Sequence, residues 1–146
     1  MSYYAVIDTN VVVSSMLKQK SIPWQILDFV DKGIIVPLLN EEIVSEYVDV
    51  ITRNKFNFDD DIIQSTMDTL KKNAIFLERE QSVEDFLDKN DVVFFEIVMS
   101  ARNTMDAYLV TGNIKHYPVR NYVVTPREMV EIIEKENGLI PQIDSK

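Results

Sequence analysis

The chain has 146 residues, no cysteine, and 24 acids against 15 Lys and Arg, for a formal charge of −9. That length suits one domain with a real core, and the missing thiols exclude disulfides and thiolate metal sites and fit a reducing compartment. The acidic balance argues against holding nucleic acid by bulk charge and suits a site that gathers divalent cations or a basic protein partner.

No apolar run nears the roughly 20 residues needed to span a bilayer. The first strand starts within three residues of Met1, which leaves no room for a signal peptide. The expectation is a cytoplasmic protein without membrane attachment.

The β-branched run Tyr4-Ala5-Val6-Ile7 predicts a buried first strand. Asp8-Thr9-Asn10 follows, and Val11 to Leu17 continues as a helix. Pro23 to Lys32 predicts a second helix, stopped by Gly33, and Ile34 to Pro37 a second strand. Asn40 is placed to cap the next helix, where Ile43, Val44, Tyr47, Val48 and Ile51 recur at helical spacing. Asp59 or Asp60 opens a helix to about Asn73, and Ala74 to Leu77 reads as a third strand.

Glu78 to Asp91 is the longest loop, with a short helical turn expected from Ser82. Val92 to Ala101 is apolar nearly all round, the mark of a buried helix. Tyr108-Leu109-Val110 and Tyr122-Val123-Val124 give the last strands. Thr125-Pro126-Arg127-Glu128 then opens a helix as a capping box with proline at its first position. Strands alternating with longer helices predict a three-layer α/β/α sandwich around a parallel sheet of about five strands. The domain is expected over residues 1–137, with a fraying tail over 138–146.

In such a sheet, ligands bind at the rim formed by the carboxyl ends of the strands. Asp8 sits there, although an Asp or Asn before a helix can equally be a cap. At about 100 degrees per residue, Glu46 falls about 60 degrees from Ile43, at the border of the apolar stripe, where a carboxylate can reach inward or stay solvated. Asp91 leads into the apolar helix, where an unpaired carboxylate is costly, and Asn90 competes with it as cap. Glu96, inside that helix, needs a partner that its sequence neighbours do not identify. Thr111-Gly112-Asn113 closes the fourth strand as a tight turn. Converging carboxylates repel unless a cation compensates them, and oxygen-only ligation is the chemistry of Mg²⁺ or Mn²⁺.

Val6-Ile7-Asp8-Thr9-Asn10-Val11, Glu46 on a helix, Asp91 ahead of an apolar helix, and Asp106-Ala107-Tyr108-Leu109-Val110-Thr111-Gly112-Asn113 together resemble the PIN-domain family. The resemblance runs from about Tyr3 to Glu134 and is closest to the bacterial toxins of type II toxin–antitoxin systems. It implies a metal-dependent endoribonuclease, with Asp8, Glu46 and Asp91 as ligands of Mg²⁺ or Mn²⁺ and Asn113 as the fourth site position. That fourth position is often aspartate in the family, so Asn113 removes one charge and bears on whether two metals are held. Thr9, Asn10, Thr111 and Lys115 are the expected substrate-orienting groups. Asp106, set before the fourth strand and away from the rim, is read as a turn residue.

His116 is a further phosphate contact in reach of the rim, although a solvated imidazole is the simpler reading. RNA is the implied substrate, a small antitoxin the implied partner, and a homodimer the implied assembly. Trp24, Phe29, Phe56 and Phe58 also offer more aromatic surface than a small core needs. A receiver-like phosphotransfer domain does not fit, because Glu78-Arg79-Glu80 lacks a phosphoacceptor aspartate after the third strand. An aspartyl-phosphate hydrolase does not fit either, because its second acid would stand where Asn10 is. The competing reading is a PIN-like scaffold, weakened in catalysis, that binds a partner protein or RNA without cutting.

Overall fold

The computed structural model describes residues 2–82 and 89–138. The expected helical turn after Ser82 and nearly all of the expected tail fall outside the described residues.

Five strands form one all-parallel sheet: β1 (Tyr3–Ile7), β2 (Ile35–Leu39), β3 (Ile75–Phe76), β4 (Ala107–Val110) and β5 (Val123–Val124), in the order β3-β2-β1-β4-β5. Six helices accompany them: α1 (Thr9–Leu17), α2 (Ile22–Asp31), α3 (Glu41–Ile51), α4 (Asp60–Lys72), α5 (Lys89–Arg102) and α6 (Pro126–Glu136). This is the α/β sandwich that the alternation of apolar runs predicts. Central β1 pairs Ala5 with Pro37 on one side and with Tyr108 on the other, and Ala5, Val6 and Ile7 are fully buried. A strand covered on both faces needs apolar residues at every position rather than alternation, which is why these segments read as continuous runs.

The chain moves outward from β1 to β2 and β3, then crosses back over β1 to β4 and β5. Right-handed crossovers in opposite directions lie on opposite faces. Accordingly α5 packs on β1, β2 and β4, while α2 packs on β2 and gathers α1, α4 and α6. The reversal falls between β1 and β4, and a crevice opens beyond the carboxyl ends of strands at such a point.

Local chemistry sets the element ends. Asn40 Oδ1 accepts the Ile43 amide at 2.8 Å, and Thr125 and Glu128 complete the capping box of α6. Gly33, at φ +78°, ends α2 with Ile34 N–H bonded back to the Phe29 carbonyl, a closure that an L side chain would strain. The second strand runs on to Leu39, two residues past the predicted end, because Pro37 is only a missing donor and Leu38 and Leu39 are fully buried.

One helix start differs in a way that matters. Helix α5 is described from Lys89 onward, so Asp91 lies within the helix rather than at its cap. Of the aromatics expected to be in excess, all four are half-buried, Phe29, Phe56 and Phe58 pack against the core, and Phe56 and Phe58 stack with centroids 5.4 Å apart. The buried Glu96 finds Arg79 Nε at 2.7 Å and the Ser82 amide at 2.6 Å, and Arg79 also reaches Glu42 on α3. A residue 17 positions away supplies that partner, a distance no helical pattern reveals.

Candidate active site

Asp8 occupies the N-cap position of α1, yet its side chain makes no capping hydrogen bond. It turns instead across the carboxyl end of the sheet. Thr111 Oγ1, just beyond β4, donates to Asp8 Oδ2 at 2.8 Å, and Tyr117 Oη donates to the same oxygen at 3.0 Å. Only 5 % of Asp8 is exposed. Burial raises its carboxyl above the ordinary aspartate value, against the hydroxyl donors of Thr111 and Tyr117, which favour the ion. A carboxylate held inside at that electrostatic cost, and not bonded to the helix end, is a candidate site group.

Thr111 is fully buried and its hydroxyl is engaged twice, donating to Asp8 and accepting the Asn113 amide at 2.9 Å. Gly112 N–H donates to Asn10 Oδ1 at 2.8 Å. A Cβ on Gly112 would stand 2.9 Å from that same oxygen, so the turn after β4 needs glycine to close onto Asn10. Thr9 Oγ1 is buried with no hydrogen-bond partner among the described residues. Asn113 and Lys115 are exposed on the turn just past β4.

Asp91 approaches from α5 on the other face. Its Oδ1 lies 3.4 Å from Tyr117 Oη and its Oδ2 lies 3.3 Å from His116 Nδ1. The imidazole expected in solvent is therefore turned onto a site acid, although its side chain remains 43 % exposed. A single 3₁₀ turn, Ile114–His116, brings His116 and Tyr117 back under the strand end. Asp8 and Asp91 thus face each other through one tyrosine hydroxyl.

Glu46 is half-buried on α3 and lines a neighbouring cleft with Glu42, Arg79, Lys89 and Asn90. Its neighbour Tyr47 is fully buried and donates to the Ile7 carbonyl, which pins α3 against the end of β1. Among the described residues no group of three or more acids or histidines is gathered closely enough to hold a metal ion. Asp106, expected to lie away from the rim, has a side chain 98 % exposed, near Arg102.

The donors do fit a hard cation. They are all oxygen, Asp8 is buried at an electrostatic cost, and Thr9 Oγ1 is an orphaned buried oxygen beside it. Mg²⁺ keeps several waters and is commonly held by one or two carboxylates plus substrate phosphate, so a pair of acids is enough to begin a site.

The family model described as PIN domain matches residues 4–115. The chain belongs to the PIN-domain family. No curated protein and no solved structure matches it. PIN domains are in general nucleases that use divalent metals, which sets the coarse class of this site as hydrolytic and directed at nucleic acid. The matched stretch ends at Lys115, one residue before His116 and two before Tyr117. Tyr117 is the site residue that sequence reasoning missed. Nothing in its spacing marks it, because its meaning lies in contacts to Asp8 and Asp91, which are 109 and 26 positions away.

Proposed function

We propose that this PIN domain is an endoribonuclease dependent on Mg²⁺ or Mn²⁺ and serves as the toxin of a toxin–antitoxin pair. The observation that carries the reading is the buried Asp8 facing Asp91 at the switch point of the sheet. Asp8 and Asp91 would hold the cation, with Glu46 joining from α3. When bound, the cation supplies positive charge against the phosphate and makes water a better nucleophile.

The chain's own groups then divide the remaining work. Lys115 and His116, exposed just past β4, meet the incoming phosphate backbone. Asn10, fixed by the Gly112 amide, and Asn113 line the turn beyond β4, where they offer hydrogen bonds to the attacking water. The buried Thr111 acts on the substrate only through Asp8. An overall charge of −9 keeps RNA from binding elsewhere and suits a basic antitoxin.

Purified protein incubated with structured and unstructured RNA should cut in Mn²⁺ and not in EDTA. Asp8→Asn should lower the rate at least 100-fold, the usual scale for losing a group that stabilises transition-state charge. Equal cutting by wild type and variant would assign the activity to a contaminant. Asn113 in place of an acid, and a third carboxylate outside the pair, favour a second reading in which the domain binds RNA or a partner without cleaving. RNA retained by wild type with no cleavage in Mn²⁺ would decide for it.

A further inference from the structure

Tyr117 is 95 % buried, and its hydroxyl stands between two carboxylates, one at the end of β1 and one on α5. A phenol has one proton to donate. Asp8 Oδ2, at 3.0 Å, takes the better hydrogen bond, and Asp91 Oδ1, at 3.4 Å, the weaker one. The oxygen between them thus fixes how closely the two acids approach and which of their oxygens turn toward each other. The ring follows the 3₁₀ turn directly and belongs to the packed core, which limits where its hydroxyl can stand.

Thr111 makes an instructive contrast. It also donates to Asp8 Oδ2, but it is fully buried behind the strand end, and its other partner is the Asn113 amide rather than Asp91. It orients one acid; Tyr117 relates two.

We infer that Tyr117 is a positioning residue whose hydroxyl sets the spacing and orientation of Asp8 and Asp91, so that the pair accepts a divalent cation and the phosphate that cation carries. The inference rests on the nuclease reading above and deepens it, because that reading needs only the acids themselves. Groups that orient ligands without contacting the metal typically contribute 10- to 100-fold in affinity or activity.

The test compares wild type, Tyr117→Phe and Thr111→Val in three measurements: thermal melting without metal, Mn²⁺ affinity by calorimetry, and RNA cleavage. Tyr117→Phe keeps the ring and should keep a cooperative melting transition. It should weaken Mn²⁺ binding about 10-fold or more and lower kcat by a similar factor. KM for RNA should change less than about twofold, because phosphate contacts made elsewhere are untouched. Thr111→Val removes one donor from Asp8 and the acceptor of the Asn113 amide but no contact with Asp91, and should weaken Mn²⁺ binding clearly less.

A Phe variant that matches wild type in Mn²⁺ affinity and kcat overturns the inference while leaving the nuclease reading intact. A Phe variant that no longer melts cooperatively overturns it too, because the hydroxyl then holds the fold. Equal losses in the Phe and Val variants would make donor number, rather than spacing, the controlling property. Wild type that neither binds Mn²⁺ nor cuts RNA would remove the nuclease reading itself.

Discussion

At the scale of the residue, Asp8 carries two opposed demands. Its raised carboxyl pKa means that folding favours the protonated form, while cation binding needs the ion. The sign follows from linkage. A group whose folded pKa lies above its unfolded value contributes stability fully present below the unfolded pKa and lost as pH rises through the folded one. Above the ordinary aspartate range, the buried Asp8 carboxyl therefore costs the metal-free protein stability. Asp8→Asn should melt a few degrees higher than wild type at pH 7, with the gap narrowing as pH falls through the raised pKa and closed by about pH 4, near the ordinary aspartate pKa. Calorimetric melting across that range checks it, and a variant less stable at pH 7 would show that the hydroxyl donors outweigh burial. Stability surrendered at one residue in exchange for function is common at active sites.

At the scale of the element, polar residues at helix starts play more than one part, and burial tells them apart. Asp59 opens α4 with no side-chain cap bond and faces solvent, whereas Asp8 is buried. Asn40 and Thr125 cap α3 and α6 with side-chain bonds of 2.8 and 3.1 Å, whereas Asp8 holds the same position on α1 and makes none. Thr125→Ala should cost about 1 kcal/mol in denaturant unfolding and leave cleavage unchanged. The same comparison marks what the sequence could and could not disclose. Apolar runs, Gly33 and the Thr125–Glu128 box are local signals, and they place strands, helices and caps to within a residue or two. Asp8, Glu46 and Asp91 could be nominated because acids on or beside apolar stripes are anomalous. Whether Asp8 caps or turns away, and where Glu96 finds Arg79, depends on chain segments brought together only by the sheet. Tyr117 and the inward turn of His116 belong to that second class. The place of Asp91 inside α5 rather than at its cap does too.

At the scale of the whole molecule, a cation that binds only the folded state must raise its melting point. At about 100 times its dissociation constant, Mn²⁺ should add roughly 2.7 kcal/mol, which is several degrees for a domain of this size. Asp8→Asn should erase most of that shift. Asn113→Asp adds an acid beside the rim, so it should enlarge the shift while lowering metal-free stability. No shift in wild type at millimolar Mn²⁺ would favour the binding-only scaffold. We also expect a homodimer, since Leu17, Val48, Ile62 and Phe76 leave large apolar side chains in water. Light scattering at tens of micromolar should give about twice the chain mass, and a value near 16.9 kDa would refute the dimer. Among the described residues no helix is long and apolar enough to cross a membrane.

The central place of β1 sets a timetable as well as a shape. Asp8 meets Thr111 and Tyr117 across 103 and 109 positions, so the ribosome makes the acid long before the groups that hold it. Parallel pairings over such separations form slowly, because chain closure must precede any gain. Throughout that interval the carboxylate meets water as an ordinary aspartate does. A nascent chain arrested before residue 117 holds Asp8 and Glu46 without the hydroxyl that relates Asp8 to Asp91. On the nuclease reading, the two acids take up their full spacing only once synthesis has passed Tyr117.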